Sequence, residues 1–308
     1  TAGFTSAVTV EQQAVPDPDF PTVSFPNPEE AGALDLAMEQ AQATRADLII
    51  AHDPDADRLA VALPDSESAS GWTMLSGNEL GAILASTRAA QEEAAGTTGV
   101  IGYSLVSSPI AREIARHHSL TPIETPTGFK WISRLPGLVF GYEEALGYLV
   151  NPETVRDKDG ISAGLMLACI AALEHDHGRS LWDVLDTTRR KYGSFASGQV
   201  TLRFSSQAFA KQRMETIRHD PRAVFSTLDI VEIRDLINGA ENVPPSDLIL
   251  ISLGNGARII VRPSGTEPKL KIYIDVLTKE LKNARRICDS LEAEVSSLLA
   301  PEESSNTR

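Results

Sequence analysis

The sequence predicts an α/β protein: part of one α/β domain, then a complete α/β domain, then a C-terminal α+β domain. Three observations lead there. The apolar run Leu48-Ile49-Ile50-Ala51 ends in a polar loop, as buried strands of α/β sheets do. Between about residues 66 and 192, runs of this kind alternate with helical patterns, which builds layered α/β units. From about residue 193 several strands follow one another, with Gly254-Asn255-Gly256 as a hairpin signal before a long final helix.

Taken in order, residues 1–65 offer a possible strand at Ala7–Val10 and a Pro-rich connector from Val15 to Pro28. Asn27 then predicts an N-cap, with Pro28 at the first helical position and Glu29 and Glu30 in the first turn. Leu34, Met38 and Ala41 fall on one face of that helix. So few elements cannot make an independent domain, so 1–65 reads as the C-terminal part of an α/β domain.

In 66–192, Leu80, Ile83 and Leu84 mark a helix and Val100–Ser104 a strand. Ser108-Pro109 caps a helix to about His117, Gly128–Leu135 is a short helix and Leu138–Tyr142 a strand. Ile161–Glu174 is a nearly all-apolar helix and is expected to be buried. Ser180 with Asp183 forms a capping box for a helix ending near Tyr192. In 193–300, a strand at Gln199–Phe204, a helix at Ala208–Arg218, strands at Leu248–Leu253, Arg258–Val261 and Lys271–Leu277, and a helix to about Leu299 are expected. Residues 301–308 read as a disordered tail.

The chain has 308 residues, 42% of them hydrophobic and 23% charged, the balance of a globular protein. A net charge of −14 argues against a nucleic-acid partner, which needs a basic face. No apolar run approaches the ~20 residues that span a bilayer, and no signal-peptide pattern opens the sequence. Cys169 and Cys288, the two cysteines, lie far apart in apolar, helical settings and read as reduced packing residues. The expected location is therefore cytoplasmic, with no membrane partner.

The most informative stretch is Asp53-Pro54-Asp55-Ala56-Asp57-Arg58. Three carboxylates at alternate positions after a strand repel one another unless a cation sits among them, and oxygen ligands suit a hard ion such as Mg2+. A calcium EF-hand loop needs Gly at its sixth position and Glu at its twelfth, where this chain has Arg58 and Pro64. A solvated acidic loop is the plain alternative.

Three further loops carry chemistry. Arg262-Pro263-Ser264-Gly265-Thr266-Glu267-Pro268-Lys269 combines a guanidinium, hydroxyls, a Gly open to close approach and a Lys, which together suit a phosphate. Glu143 and Glu144 follow a strand, where carboxylates suit paired sugar hydroxyls. Lys158, in Arg156-Asp157-Lys158-Asp159-Gly160, would neutralise a phosphate or assist proton transfer, unless it belongs only to a helix-start charge cluster. Lys130 faces either a ligand or solvent. His52 points away from the acidic loop and reads as a packing residue beside it. No Ser-His-Asp or Cys-His arrangement is legible.

Together these loops resemble the α-D-phosphohexomutase family, the phosphoglucomutase/phosphomannomutase enzymes, from Ala2 to about Leu299. DPDADR resembles the family's Mg2+ loop, GYEEALGY its sugar-recognition loop, VRDKDG an active-site segment and RPSGTEPKLKIY its phosphate-binding loop. The wording of DPDADR, PTGFKWI and EEALGY is most similar to the branch with phosphopentomutase-like phosphoglucomutases. The resemblance implies a middle domain of phosphohexomutase type. It implies that Asp53, Asp55 and Asp57 hold Mg2+ with Arg58 beside them, and that Lys158 lies near the reacting groups. Glu143, Glu144 and Lys130 would bind the sugar, and Arg262, Ser264, Gly265, Thr266 and Lys269 the non-reacting phosphate. Ala145 stands where many members have Ser, which leaves hexose specificity open.

The family reaction starts from a phosphoserine in a T/S-A-S-H-N-P-type loop, passes through a sugar bisphosphate that also serves as activator, and interconverts hexose 1- and 6-phosphates of glucose or mannose. That motif does not occur in these residues. The expectation is a mutase segment, inactive alone, whose phosphoserine domain lies in the same or a separate chain. A phosphopentomutase acting on ribose or deoxyribose phosphate is the alternative, and a noncatalytic phosphosugar-binding fragment is another. A D-x-D phosphatase of the HAD type fits poorly, because Asp57 stands where Thr or Val is expected. An incomplete first domain is expected to expose sheet edge and apolar surface.

Overall fold

The computed structural model describes residues 2–240, 243–265 and 267–299. The chain divides into two compact units, Thr1–Ser107 with Ala111–Thr188, and Ser108–Ile110 with Arg189–Arg308. The α/β class expected from the sequence is what the structure shows.

In the first unit, helix α1 (Asp35–Thr44) precedes a three-stranded antiparallel sheet of β1 (Ile49–Ala51), β2 (Ala60–Pro64) and β3 (Trp72–Met74) in that spatial order. Leu34, Ala41, Ile49, Ala62 and Trp72 form its small core, with Met38 packed against them. Three expectations need correction. Residues 7–10 form no strand: they pair with no strand among the described residues, and Val8 is 61% exposed. The helix begins at Asp35, not after Asn27; the Asn27 side chain does accept the Glu29 N–H, but Gly32 at φ +83° breaks the helical path. The strand before the acidic loop is an edge strand with Ile50 38% exposed, so Ile49 and Ala51 face the small core and Ile50 points away from it.

The second sheet holds β4 (Val100–Ser104), β5 (Thr121–Thr125), β6 (Leu138–Glu143) and β7 (Gly147–Leu149) in the order β5-β4-β6-β7. The first three run parallel and β7 is antiparallel to β6. Parallel pairing brings the carboxyl ends of three strands side by side, at Ser104, Thr125 and Glu143, where ligand loops of open α/β sheets belong. Helices α2 (Gly77–Ala95), α3 (Ile110–His117), α4 (Phe129–Ile132), α5 (Gly160–Asp176) and α6 (Leu181–Tyr192) complete this part of the chain. The Ser76/Glu79 capping box starts α2 and the expected Ser180/Asp183 box starts α6. Helix α5 is not buried all round: Ile161, Leu165 and Leu173 are 65%, 44% and 57% exposed on one stripe. Only its Ala163, Gly164, Leu167 and Ile170 side packs inward.

The second unit is a five-stranded antiparallel sheet in the order β8-β12-β11-β10-β9, built from β8 (Ser194–Arg203), β9 (Ile230–Asp235), β10 (Ile249–Leu253), β11 (Ala257–Pro263) and β12 (Lys269–Thr278). Helix α7 (Gln207–His219), the short α8 (Pro221–Val224) and helix α9 (Leu281–Leu299) accompany it. Met214, Ile217, Ala284, Cys288, Leu291 and Val295 share one core with Ile259, Val261, Ile272 and Ile274. Gly256 at φ +83° closes the expected β10–β11 hairpin. The tail at 301–308 lies outside the described residues. Among the described residues no helix is long and apolar enough to cross a membrane.

Cys288 is buried and its thiol is pushed up to about 12 by burial and by Glu292, whereas Cys169 is exposed on α5, contrary to the expectation that both pack. A thiol reagent at pH 8 is therefore expected to modify one cysteine of the native chain, Cys169, and both only after denaturation. Two fast-reacting thiols in the native protein would contradict this core.

Candidate active site

The acidic loop turns between β1 and β2. Ala56 takes a left-handed φ of +57° and its N–H donates to Asp53 O at 3.0 Å. That turn brings one oxygen from each of Asp53, Asp55 and Asp57 within 4.8 Å of one another. The Arg58 N–H donates to Asp53 Oδ1 at 3.0 Å, and its Nε lies 3.4 Å from Asp53 Oδ2 and 3.8 Å from Asp57 Oδ1. Burial pushes the Asp53 carboxyl up, and the Asp57 and Asp55 charges add to it against the pull of the Arg58 N–H. Among the described residues, the buried Asp57 Oδ1 has no hydrogen-bond partner. A buried carboxylate oxygen without a hydrogen bond, on one of three carboxylates brought this close, fits a hard divalent cation.

The Arg156–Gly160 segment comes to this loop. Lys158 Nζ lies 2.6 Å from Asp57 Oδ2. Two glycines allow the approach. A Cβ on Gly160 would lie 2.2 Å from Arg58 O and 2.8 Å from Ala56 O, and the Gly160 N–H donates to Ala56 O at 3.0 Å. A Cβ on Gly147 would lie 2.6 Å from Lys158 Cδ. Asp159 caps α5 through the N–H groups of Ile161 and Ser162. His52 Nδ1 donates to Arg58 O at 2.8 Å, so it braces the loop from behind.

The two glutamates after β6 part company. Glu143 Oε1 accepts the Gly128 N–H at 2.7 Å, which fixes it beside the β5–α4 loop. Glu144 turns inward and accepts Ser104 Oγ at 3.2 Å and Ser107 Oγ at 3.0 Å. Burial and then the Glu143 charge push its carboxyl up to about 7. Lys130 lies over the Trp131 ring, 5.5 Å from its centroid. With Ser133, Arg134, Arg156 and Asp157 it lines an open cleft of about 430 Å3. Arg134 and Arg156 were not singled out from sequence, because an Arg in a charged loop gives no signal of the cleft it lines.

In the second unit, Arg262 lies one residue before the end of β11, in register with Lys271 of β12. The Ser264 N–H donates to Lys269 O at 2.9 Å, and Ser264 Oγ accepts the Glu267 N–H at 3.3 Å, so the loop folds on itself. Among the described residues, and chain neighbours aside, nothing lies within 4 Å of a Cβ built on Gly265. Lys269 Nζ pairs with Glu267, whose carboxyl that contact holds below its usual range. Thr266 lies outside the described residues.

Comparison with known proteins decides the family. Models of phosphoglucomutase/phosphomannomutase alpha/beta/alpha domain II, alpha/beta/alpha domain III and C-terminal domain match residues 1–66, 76–192 and 213–291. The chain belongs to the phosphoglucomutase/phosphomannomutase family. It is 43% identical over 298 residues to a probable phosphomannomutase of Haemophilus influenzae, covering 97% of this chain and 60% of that protein. It is 33% identical to a phosphoribomutase of Saccharomyces cerevisiae and 35% identical to a human phosphopentomutase, covering 89% and 87% of this chain and 50% and 48% of theirs. The chain thus spans about half to three-fifths of the length of these relatives. The fold is also that of Paramecium parafusin, a phosphoglucomutase, at a TM-score of 0.66 and 20% identity over 89% of this chain and 50% of that one.

Two outcomes follow from the geometry. Gly160→Ala should drive a methyl into the backbone of Arg58 and lower Mg2+ affinity about tenfold or more by calorimetry; unchanged affinity would show that the contact does not shape the loop. The Glu144 carboxyl, raised from 4.5 to about 7, binds more protons folded than unfolded between those values. Its contribution to stability therefore falls as pH rises through that window, by about 3 kcal/mol. Glu144→Gln should gain stability relative to wild type from pH 5 to pH 8 in urea titrations, and a constant difference would show that Glu144 does not titrate there.

Proposed function

We propose that this chain is the metal-, sugar- and phosphate-binding part of a sugar-phosphate mutase that moves a phosphoryl group within one sugar. The observation that carries the reading is the meeting of Lys158 with the Asp53-Asp55-Asp57 cluster, in which Asp57 Oδ1 has no hydrogen-bond partner among the described residues. Asp53, Asp55 and Asp57 hold Mg2+, which polarises a phosphoryl oxygen when bound. Arg58 and Lys158 neutralise charge on the phosphoryl group in transfer, where positioning and electrostatics supply most of the catalysis. Glu143 accepts hydrogen bonds from sugar hydroxyls. Lys130 joins it from the cleft that it shares with Arg134 and Arg156. Arg262, Ser264, Gly265, Thr266 and Lys269 take the phosphate that does not react.

The nucleophile is a phosphoserine outside these 308 residues, since no T/S-A-S-H-N-P-type loop occurs in them. The substrate is a hexose phosphate of glucose or mannose, and a sugar bisphosphate serves as intermediate and activator. The names of the phosphoribomutase and phosphopentomutase relatives favour ribose or deoxyribose phosphate as a second reading, and Ala145 in the sugar loop leaves room for it. A cytoplasmic location accords with phosphosugar chemistry.

The purified 308-residue chain is expected to bind glucose 1-phosphate in the presence of Mg2+, to lose that binding in Asp55→Asn, and to show no mutase turnover. Turnover by the chain freed of contaminating mutase would overturn the external-nucleophile reading, and absence of binding up to millimolar ligand would overturn the binding assignment.

A further inference from the structure

Glu144 stands next to the proposed sugar-binding carboxylate and is held on three sides. Both Ser104 Oγ and Ser107 Oγ donate to the same carboxyl oxygen, Oε2, at 3.2 and 3.0 Å, and the two hydroxyls lie 2.8 Å apart. The Glu144 N–H donates back to Ser107 Oγ at 3.0 Å, so side chain and backbone are gripped by one serine. On the remaining side, a Cβ on Gly77 would lie 1.8 Å from Glu144 O, which places the first turn of α2 directly on the Glu144 backbone. Ser104 and Ser107 are fully buried at the end of β4 and in the loop after it.

The residues on either side of this clamp lead to the two halves of the site. Upstream, Glu143 Oε1 is fixed on the Gly128 N–H. Downstream, Leu146 O accepts the Leu59 N–H at 3.0 Å, and Gly147 pairs with Arg58 beneath Lys158. Leu146 has φ +63°, so the chain reverses immediately past the clamp. Any slip of Glu144 moves Glu143 and the Leu146–Gly147 contact together.

We propose that Glu144 is a positioning residue whose carboxyl, clamped by Ser104 and Ser107, sets Glu143 on Gly128 and holds Leu146–Gly147 against Arg58–Leu59. It is not itself a sugar contact. The substrate half of this inference rests on the reading of Glu143 as the sugar-binding carboxylate; the clamp itself does not. Because both hydroxyls use one oxygen, a Gln carbonyl can replace it, whereas Ala leaves two buried hydroxyls without that acceptor.

The test is hydrogen exchange of the 308-residue chain with and without glucose 1-phosphate and Mg2+, in wild type, Glu144→Ala, Glu144→Gln and the milder Ser107→Ala. Glu144→Ala and Ser107→Ala should speed exchange in segments 126–129 and 143–147 about tenfold, with the β10–β12 peptides unchanged as a control for folding. Glu144→Gln should restore slow exchange, and glucose 1-phosphate affinity should follow the same order. Unchanged exchange in both Glu144→Ala and Ser107→Ala would overturn the clamp. Faster exchange with undiminished glucose 1-phosphate binding would overturn its role in placing Glu143. A wild-type chain that slows exchange at 143–147 but binds no sugar phosphate would overturn the functional reading and leave the clamp standing.

Discussion

Three carboxylates forced into one turn repel one another, and everything around that turn in the first unit answers the repulsion. The Arg58 N–H and guanidinium come from within the loop, and Lys158 comes from a segment a hundred residues later in the chain. Its approach depends on Gly160 resting on the carbonyls of Ala56 and Arg58, closer than any side chain allows. What remains after these contacts is one buried oxygen of Asp57 with no hydrogen-bond partner among the described residues. A bound divalent cation would satisfy it and relieve the crowding in one step.

Sheet topology supplies the other half of the site. Because β5, β4 and β6 run parallel, the loops after them emerge on one edge. Gly128, Ser107 and the Glu143–Glu144 pair therefore meet without long connections. The antiparallel turn from β6 into β7 carries the same chain back past Glu144 to Leu59, beside the acidic loop. The residues proposed to bind sugar and metal are thus coupled through five consecutive residues, which makes the hydrogen bonds of Glu144 matter more than its exposure suggests.

Much of this was legible in the sequence, for identifiable reasons. The acidic loop, the Lys158 segment and the Ser264 loop each have a plain alternative and point to a site only in combination, whereas the strongly periodic elements α2, α7 and α9 follow from apolar pattern alone. What sequence did not show falls into two kinds. β3, β5, β7 and β9 are short or mixed in polarity, and their pairing is decided by distant partners. Side-chain direction is the other kind: Glu143 and Glu144 look alike in sequence, and only the serines on the neighbouring strand and loop send one outward and the other in. The α5 stripe is a related case, since an all-apolar helix predicts burial but cannot say which partner provides it.

The central claim is that Asp53, Asp55 and Asp57 form a preshaped site for one divalent cation. Anomalous diffraction from crystals of the chain soaked in Mn2+ tests it most directly. One strong peak is expected within coordinating distance of all three carboxylates, with Lys158 still against Asp57. A peak elsewhere, or density at the loop only when Asp57 has swung away from Lys158, would contradict it.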